Sequence, residues 1–99
     1  MNPEEASAFL AQWCFTIKSP AALQFIYGME YVAEIQCCYP LDTGGSVYLI
    51  LPVASHEEVV EGLCAENGLM RISQERSYSF LADFRQRHKA VWDRLRELL

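Results

Sequence analysis

From Met29 to Tyr39 apolar and polar side chains alternate, with Tyr31, Ala33, Ile35, Cys37 and Tyr39 on one face and Glu30, Glu34 and Gln36 on the other. A period of two predicts a half-buried strand. Pro40, Asp42, Gly44 and Gly45 then supply turn chemistry, because proline presets its own φ and glycine permits positive φ. Ser46 to Val53 follows as a second strand, an uncharged run whose β-branched and aromatic content predicts cover on both faces. Pro52 cannot donate to a ladder, so it marks that strand's end or an edge position. These two stretches, 29–39 and 46–53, form a central hairpin around which the chain is organised.

Helical periodicity appears on either side. Asn2 is placed to cap a helix with Pro3 in its first position and Glu4 and Glu5 in its first turn. Ala6, Phe9, Leu10, Trp13 and Ile17 recur at three- and four-residue intervals and make one apolar stripe. Phe15 falls off that stripe, whereas in a strand Trp13, Phe15 and Ile17 share a face, so this segment reads either way. Ser19 and Pro20 predict a second cap, with a short helix over Ala21 to Tyr27 that Gly28 ends. Beyond the hairpin, Ser55 and Glu58 match a capping box. Val59, Val60, Leu63 and Cys64 give the helix that follows an apolar face, and Asn67 and Gly68 close it. Leu69 to Ser73 reads as a short strand added to the sheet. A final long helix, capped by Ser77 or Ser79, runs to the terminus with Phe80, Leu81, Phe84, His88, Val91, Trp92, Leu95, Leu98 and Leu99 in one sector.

The expected fold is therefore α+β: a small antiparallel sheet built on the hairpin, packed by helices, with a long amphipathic C-terminal helix. If Trp13 to Ile17 is a strand, the order becomes βαββαβ, the ferredoxin-like arrangement, with that helix appended. A length of 99 residues fits one domain over the whole chain, 1–99, with a single core.

Composition narrows the function classes. At 52% hydrophobic and 21% charged residues, the chain is globular and not disordered. The longest uncharged run, Thr43 to Ser55, spans thirteen residues broken by glycine and proline, too short to cross a bilayer. The start, Met-Asn-Pro-Glu-Glu, is acidic where a secretory signal is basic, so a cytoplasmic protein with no membrane partner is expected. Cys14, Cys37, Cys38 and Cys64 include no CxxC pair and no zinc-finger spacing. They read as small apolar thiols of a reducing compartment, and no cofactor or metal is expected.

Charge is segregated along the chain. Residues 1–70 carry nine acids against Lys18 alone, a balance of −8, and residues 71–99 carry seven bases against four acids, a balance of +3, within a net charge of −5. Such asymmetry points to association. Glu57, Glu58, Glu61 and Glu66 give one helix an acidic side. Arg85, Lys89 and Arg96 share one flank of the last helix, and Arg87 and Arg94 the other. Gln86, Asp93 and Glu97 interrupt the two flanks, which argues against a duplex-reading surface. Asp83 with Arg87 and Lys89 with Asp93 have the spacing of intrahelical pairs. His56 beside Glu57 and Glu58 has no nucleophile or second ligand in register with it, and His88 reads as a core or interface histidine.

No catalytic constellation emerges, so the expectation is not an enzyme. It is a small non-enzymatic interaction domain, an accessory subunit, adaptor or inhibitor, with a protein partner and a capacity to form homodimers. Arg85, Lys89, Trp92, Arg96, Glu57, Glu58 and Glu61 are its candidate contact residues. The alternatives are a small-ligand-binding regulatory module of ferredoxin-like type and a nucleic-acid-associated protein.

Overall fold

The computed structural model describes residues 2–17, 21–38, 46–53 and 55–99. Helix α1 (Pro3–Leu10) begins as the sequence predicts. Asn2 Oδ1 accepts from the Glu5 backbone N–H at 2.8 Å, and Asn2 Nδ2 donates to Glu5 Oε1 at 3.1 Å. One orphan donor of the first turn is satisfied, and Glu4 and Glu5 face the positive end of the dipole. A single 3₁₀ turn, Ala11–Trp13, leads into strand β1 (Cys14–Ile17). The apolar stripe does not continue as helix past Trp13, because Cys14 and Phe15 both bury, one on each face of the sheet.

After β1 come helix α2 (Ala22–Gly28), strands β2 (Ala33–Cys38) and β3 (Val47–Pro52), helix α3 (Glu57–Glu66) and strand β4 (Leu69–Arg71). The sheet order is β2-β3-β1-β4, and every neighbouring pair is antiparallel. The fold is α+β, and the connectivity from β1 to β4 is βαββαβ, the ferredoxin-like order. Two further helices, α4 (Gln74–Arg87) and α5 (Lys89–Leu98), follow the sheet.

Strand β3 is the spine. Val47, Tyr48, Leu49, Ile50 and Leu51 are all buried, so both faces are covered as its composition predicts. Burial of each such side chain is worth about 1.5–3 kcal/mol. Pro52 is the last residue of the strand, opposite Ala33. Cys14 pairs with Leu49 and Phe15 with Tyr48, so Cys14 and Leu49 share one face and Phe15 and Tyr48 the other. On the first face, the Cys14 thiol donates to Leu10 O at 3.4 Å at the end of α1, and Arg94 of α5 donates to Glu34 of β2. Helices α1, α4 and α5 build the layer there. On the second face Arg71, paired with Phe15, reaches Glu61 of α3 at 2.8 Å.

Several expectations change. Strand β2 begins at Ala33, because Val32 and Ala33 both donate to Met29 O, at 2.9 and 3.0 Å, and close a turn. That turn leaves Tyr31 74% exposed. Gly28 is the last helical residue of α2 and not its terminator. At α3 the expected Ser55 cap is replaced by His56 at the N-cap with no side-chain cap bond, since the imidazole Nδ1 donates to Val53 O at 2.7 Å. Val59 is 47% exposed while Val60 and Cys64 form the buried stripe. Gly68, with φ +74°, ends α3 as expected. Strand β4 pairs along β1, as the added strand was expected to do. Helix α4 is capped not by Ser77 or Ser79 but by Ser73, whose Oγ accepts from the Arg76 N–H at 3.2 Å. Ser77 is buried inside α4. The cap at Ser19 and Pro20, Tyr39, and the turn from Pro40 to Gly45 lie outside the described residues.

Candidate functional site

The single long helix expected at the C-terminus is two helices that meet at His88. Its backbone, φ −130° and ψ 53°, leaves the helical region. His88 N–H donates to Phe84 O at 2.8 Å, closing α4, and His88 O accepts from Trp92 N–H at 2.9 Å, opening α5. On a straight helix position 88 would continue the apolar stripe, where an imidazole without a partner carries a desolvation penalty. The bend brings His88 out to solvent against the Phe84 ring, 5.3 Å between centroids. His88 is therefore a surface residue, which overturns the core half of the expectation of a core or interface histidine.

The concave side of this elbow is a groove of ≈ 490 Å³ lined by Ala82, Arg85, Gln86, Lys89, Trp92, Asp93 and Arg96. Four of the expected contact residues, Arg85, Lys89, Trp92 and Arg96, come together here. Trp92 is 1% exposed and forms the floor. The Arg85 guanidinium lies over its ring, 5.8 Å from the centroid, within cation–π range. Arg96 is half-buried along the wall. Glu57, Glu58 and Glu61 are exposed on α3 and do not line the groove.

Ion pairing divides the C-terminal bases into two sets. Arg71 pairs with Glu61 and Arg87 with Asp83 at 2.9 Å, and Arg94 pairs with Glu34. Arg76, Arg85 and Lys89 make no salt bridge among the described residues, and of these Arg85 and Lys89 line the groove; the expected pair of Lys89 with Asp93 does not form. Helical spacing correctly predicted Asp83 with Arg87 but missed Arg71. That guanidinium also donates from Nε to Gln12 O at 2.7 Å and sits 5.2 Å from the ring centroids of both Trp13 and Phe15. It ties β4 to the 3₁₀ turn, β1 and α3, a junction no local pattern shows.

A second groove of ≈ 400 Å³ lies between α1 and α4, lined by Pro3, Glu4, Ser7, Tyr78, Leu81, Ala82 and Arg85. Ala82 and Arg85 belong to both grooves. Nothing local in the sequence marks the second one, because it exists only where two helices distant along the chain pack together.

The two buried thiols, Cys14 and Cys64, are poorly suited to nucleophilic work. Burial pushes Cys14 up to about 12. The Ser77 hydroxyl faces it with a smaller opposing effect, short of regular hydrogen-bond geometry. Burial likewise pushes Cys64 up to about 11, against the attraction of Arg71 and with a smaller push from Glu61. Both are protonated at neutral pH, and it is the thiolate that reacts. Among the described residues, no three His, Cys, Asp or Glu side chains stand close enough to hold a metal ion, and no helix is long and apolar enough to cross a membrane. Compared with protein-family models, curated proteins and solved structures, the chain matches none.

Proposed function

We propose that the chain is a small non-enzymatic interaction domain, an accessory subunit, adaptor or inhibitor, whose elbow groove receives a carboxylate-bearing protein surface. One observation carries this reading. In a protein of net charge −5, Arg85 and Lys89 line a concave surface with no salt-bridge partner among the described residues, while Arg71, Arg87 and Arg94 are each matched by an acid. Cations so placed around a buried aromatic suit an acidic partner, because complementary charge accelerates encounter and fixes orientation. Asp93 inside the groove favours discrete carboxylates over a continuous polyanion.

The test immobilises the full chain and the Arg85→Glu/Lys89→Glu variant and exposes both to host lysate with and without nuclease. The expected result is one protein held by the wild type at low salt, absent from the variant, and released near 1 M salt, where screening acts within about 3 Å. Equal retention by the variant overturns the reading. Retention abolished by nuclease reassigns the groove to nucleic acid.

A further inference from the structure

The two grooves share a wall, and their chemistry changes across it. Between α1 and α4 the surface is largely apolar: Pro3, Leu81, Ala82 and the ring of Tyr78, which is 40% exposed. Between α4 and α5 it carries Arg85, Lys89 and Arg96. Ala82, exposed and without a long side chain, is common to both, and Arg85 stands at the boundary. A ligand can therefore pass over Ala82 from one to the other. We infer that the joined grooves form one docking channel for an extended acidic peptide that carries a bulky apolar residue beside its carboxylates.

Orientation follows from charge. Glu4 rims the α1–α4 groove, so the carboxylates of such a peptide are repelled there and drawn toward Lys89 and Arg96. The apolar side chain packs against the exposed Tyr78 ring, over the buried Leu81. A largely apolar pocket next to a polar rim is an arrangement in which a single anchor residue can dominate affinity. This inference rests on the interaction reading and adds the class of segment recognised, an anchored linear motif in place of a folded surface.

The test uses the full chain and three short fluorescein-labelled peptides, read by fluorescence anisotropy: an aspartate- and glutamate-rich peptide with one leucine, the same with alanine for leucine, and the same with asparagine and glutamine for the acids. The leucine peptide is expected to bind at least about ten-fold tighter than the alanine peptide, the worth of one buried aliphatic side chain, and the uncharged peptide to bind weakest. Ala82→Trp, on an exposed helical position, is expected to remove the preference for leucine, and Lys89→Glu to weaken both acidic peptides, with circular dichroism confirming that both variants fold. Equal binding of the leucine and alanine peptides, or a leucine preference that survives Ala82→Trp, overturns the channel. If no peptide binds while the lysate partner still depends on Arg85 and Lys89, the channel fails and the interaction reading stands. If that dependence is also lost, both fail.

Discussion

Among the described residues Cys14 carries the clearest pH signature. Its thiol is held protonated by burial up to about 12 from an ordinary 9.0. Above pH 9 the unfolded chain gives up this proton and the folded chain keeps it, so the folded state binds more protons and stability falls as pH rises. The slope contributed by this one group approaches about 1.4 kcal/mol per pH unit. Measured by urea unfolding at a series of pH values, Cys14→Ala is expected to be the less stable protein at pH 7 and to close the gap between pH 9 and 11. A constant gap across that range removes the assignment. Gly68 offers a second test at the same scale. Its φ is +74°, and a Cβ added there has no neighbouring atom within 4 Å, so Gly68→Ala meets no clash and bears only the backbone cost of a left-handed residue, about 1–2 kcal/mol. With about 4–8 °C of melting temperature per kcal/mol for a domain of this size, the loss is easily read by calorimetry. Residues of this kind were legible in advance where the signal is local. Asn2, Pro3 and Gly68 do what their types predict, whereas Ser55 does not cap, because the His56 ring reaches the Val53 carbonyl and the turn settles one residue later.

Among the elements, β3 was the most legible and is the most costly to disturb. Its run of apolar residues predicted a strand covered on both sides, and Leu49 and Ile50, each at 0% exposure, point to opposite faces. Leu49→Ala is expected to lose about 2–5 kcal/mol, and Ile50→Val about 0.5–1.5 kcal/mol, both without a change in denaturant m-value. By contrast, the contact between α5 and the sheet through Arg94 and Glu34 involves side chains 51% and 32% exposed. A double-mutant cycle on that pair is expected to give a coupling below about 1 kcal/mol that shrinks in salt. A larger, salt-insensitive coupling means a drier junction than the exposures indicate. The boundary between α4 and α5 was not legible. A helical wheel assumes a straight axis, and it placed His88 inside the apolar sector, while the bend that takes it out depends on how Phe84 and Trp92 pack in three dimensions. The wheel still grouped Arg85, Lys89 and Arg96 correctly, since residues on one side of a helix stay together when the helix bends toward that side.

For the molecule as a whole, the segregation of charge along the sequence is partly cancelled by folding. Glu61 meets Arg71 and Glu34 meets Arg94, each joining the acidic stretch to the basic one, so among the described residues the bases left without a salt bridge include Arg85 and Lys89 at the elbow and Arg76 near the start of α4. The same geometry makes α5 part of the fold. Trp92 and Leu95 are 1% and 0% exposed and close the helical layer beside α4. Loss of a buried tryptophan costs about 3–5 kcal/mol and of a buried leucine about 2–5 kcal/mol, against a total stability of about 5–15 kcal/mol for a typical domain. A chain that stops after His88 is therefore expected to lose cooperative unfolding, with a broad denaturant transition by far-ultraviolet circular dichroism and an emission maximum of Trp13, its one remaining tryptophan, shifted toward that of exposed indole. Should the shortened chain unfold in one sharp transition with its strand signal intact, the βαββαβ sheet with α1 and α4 is self-sufficient. In that case α5 is an appended arm, free to swing, and the elbow groove opens and closes with it instead of standing preformed.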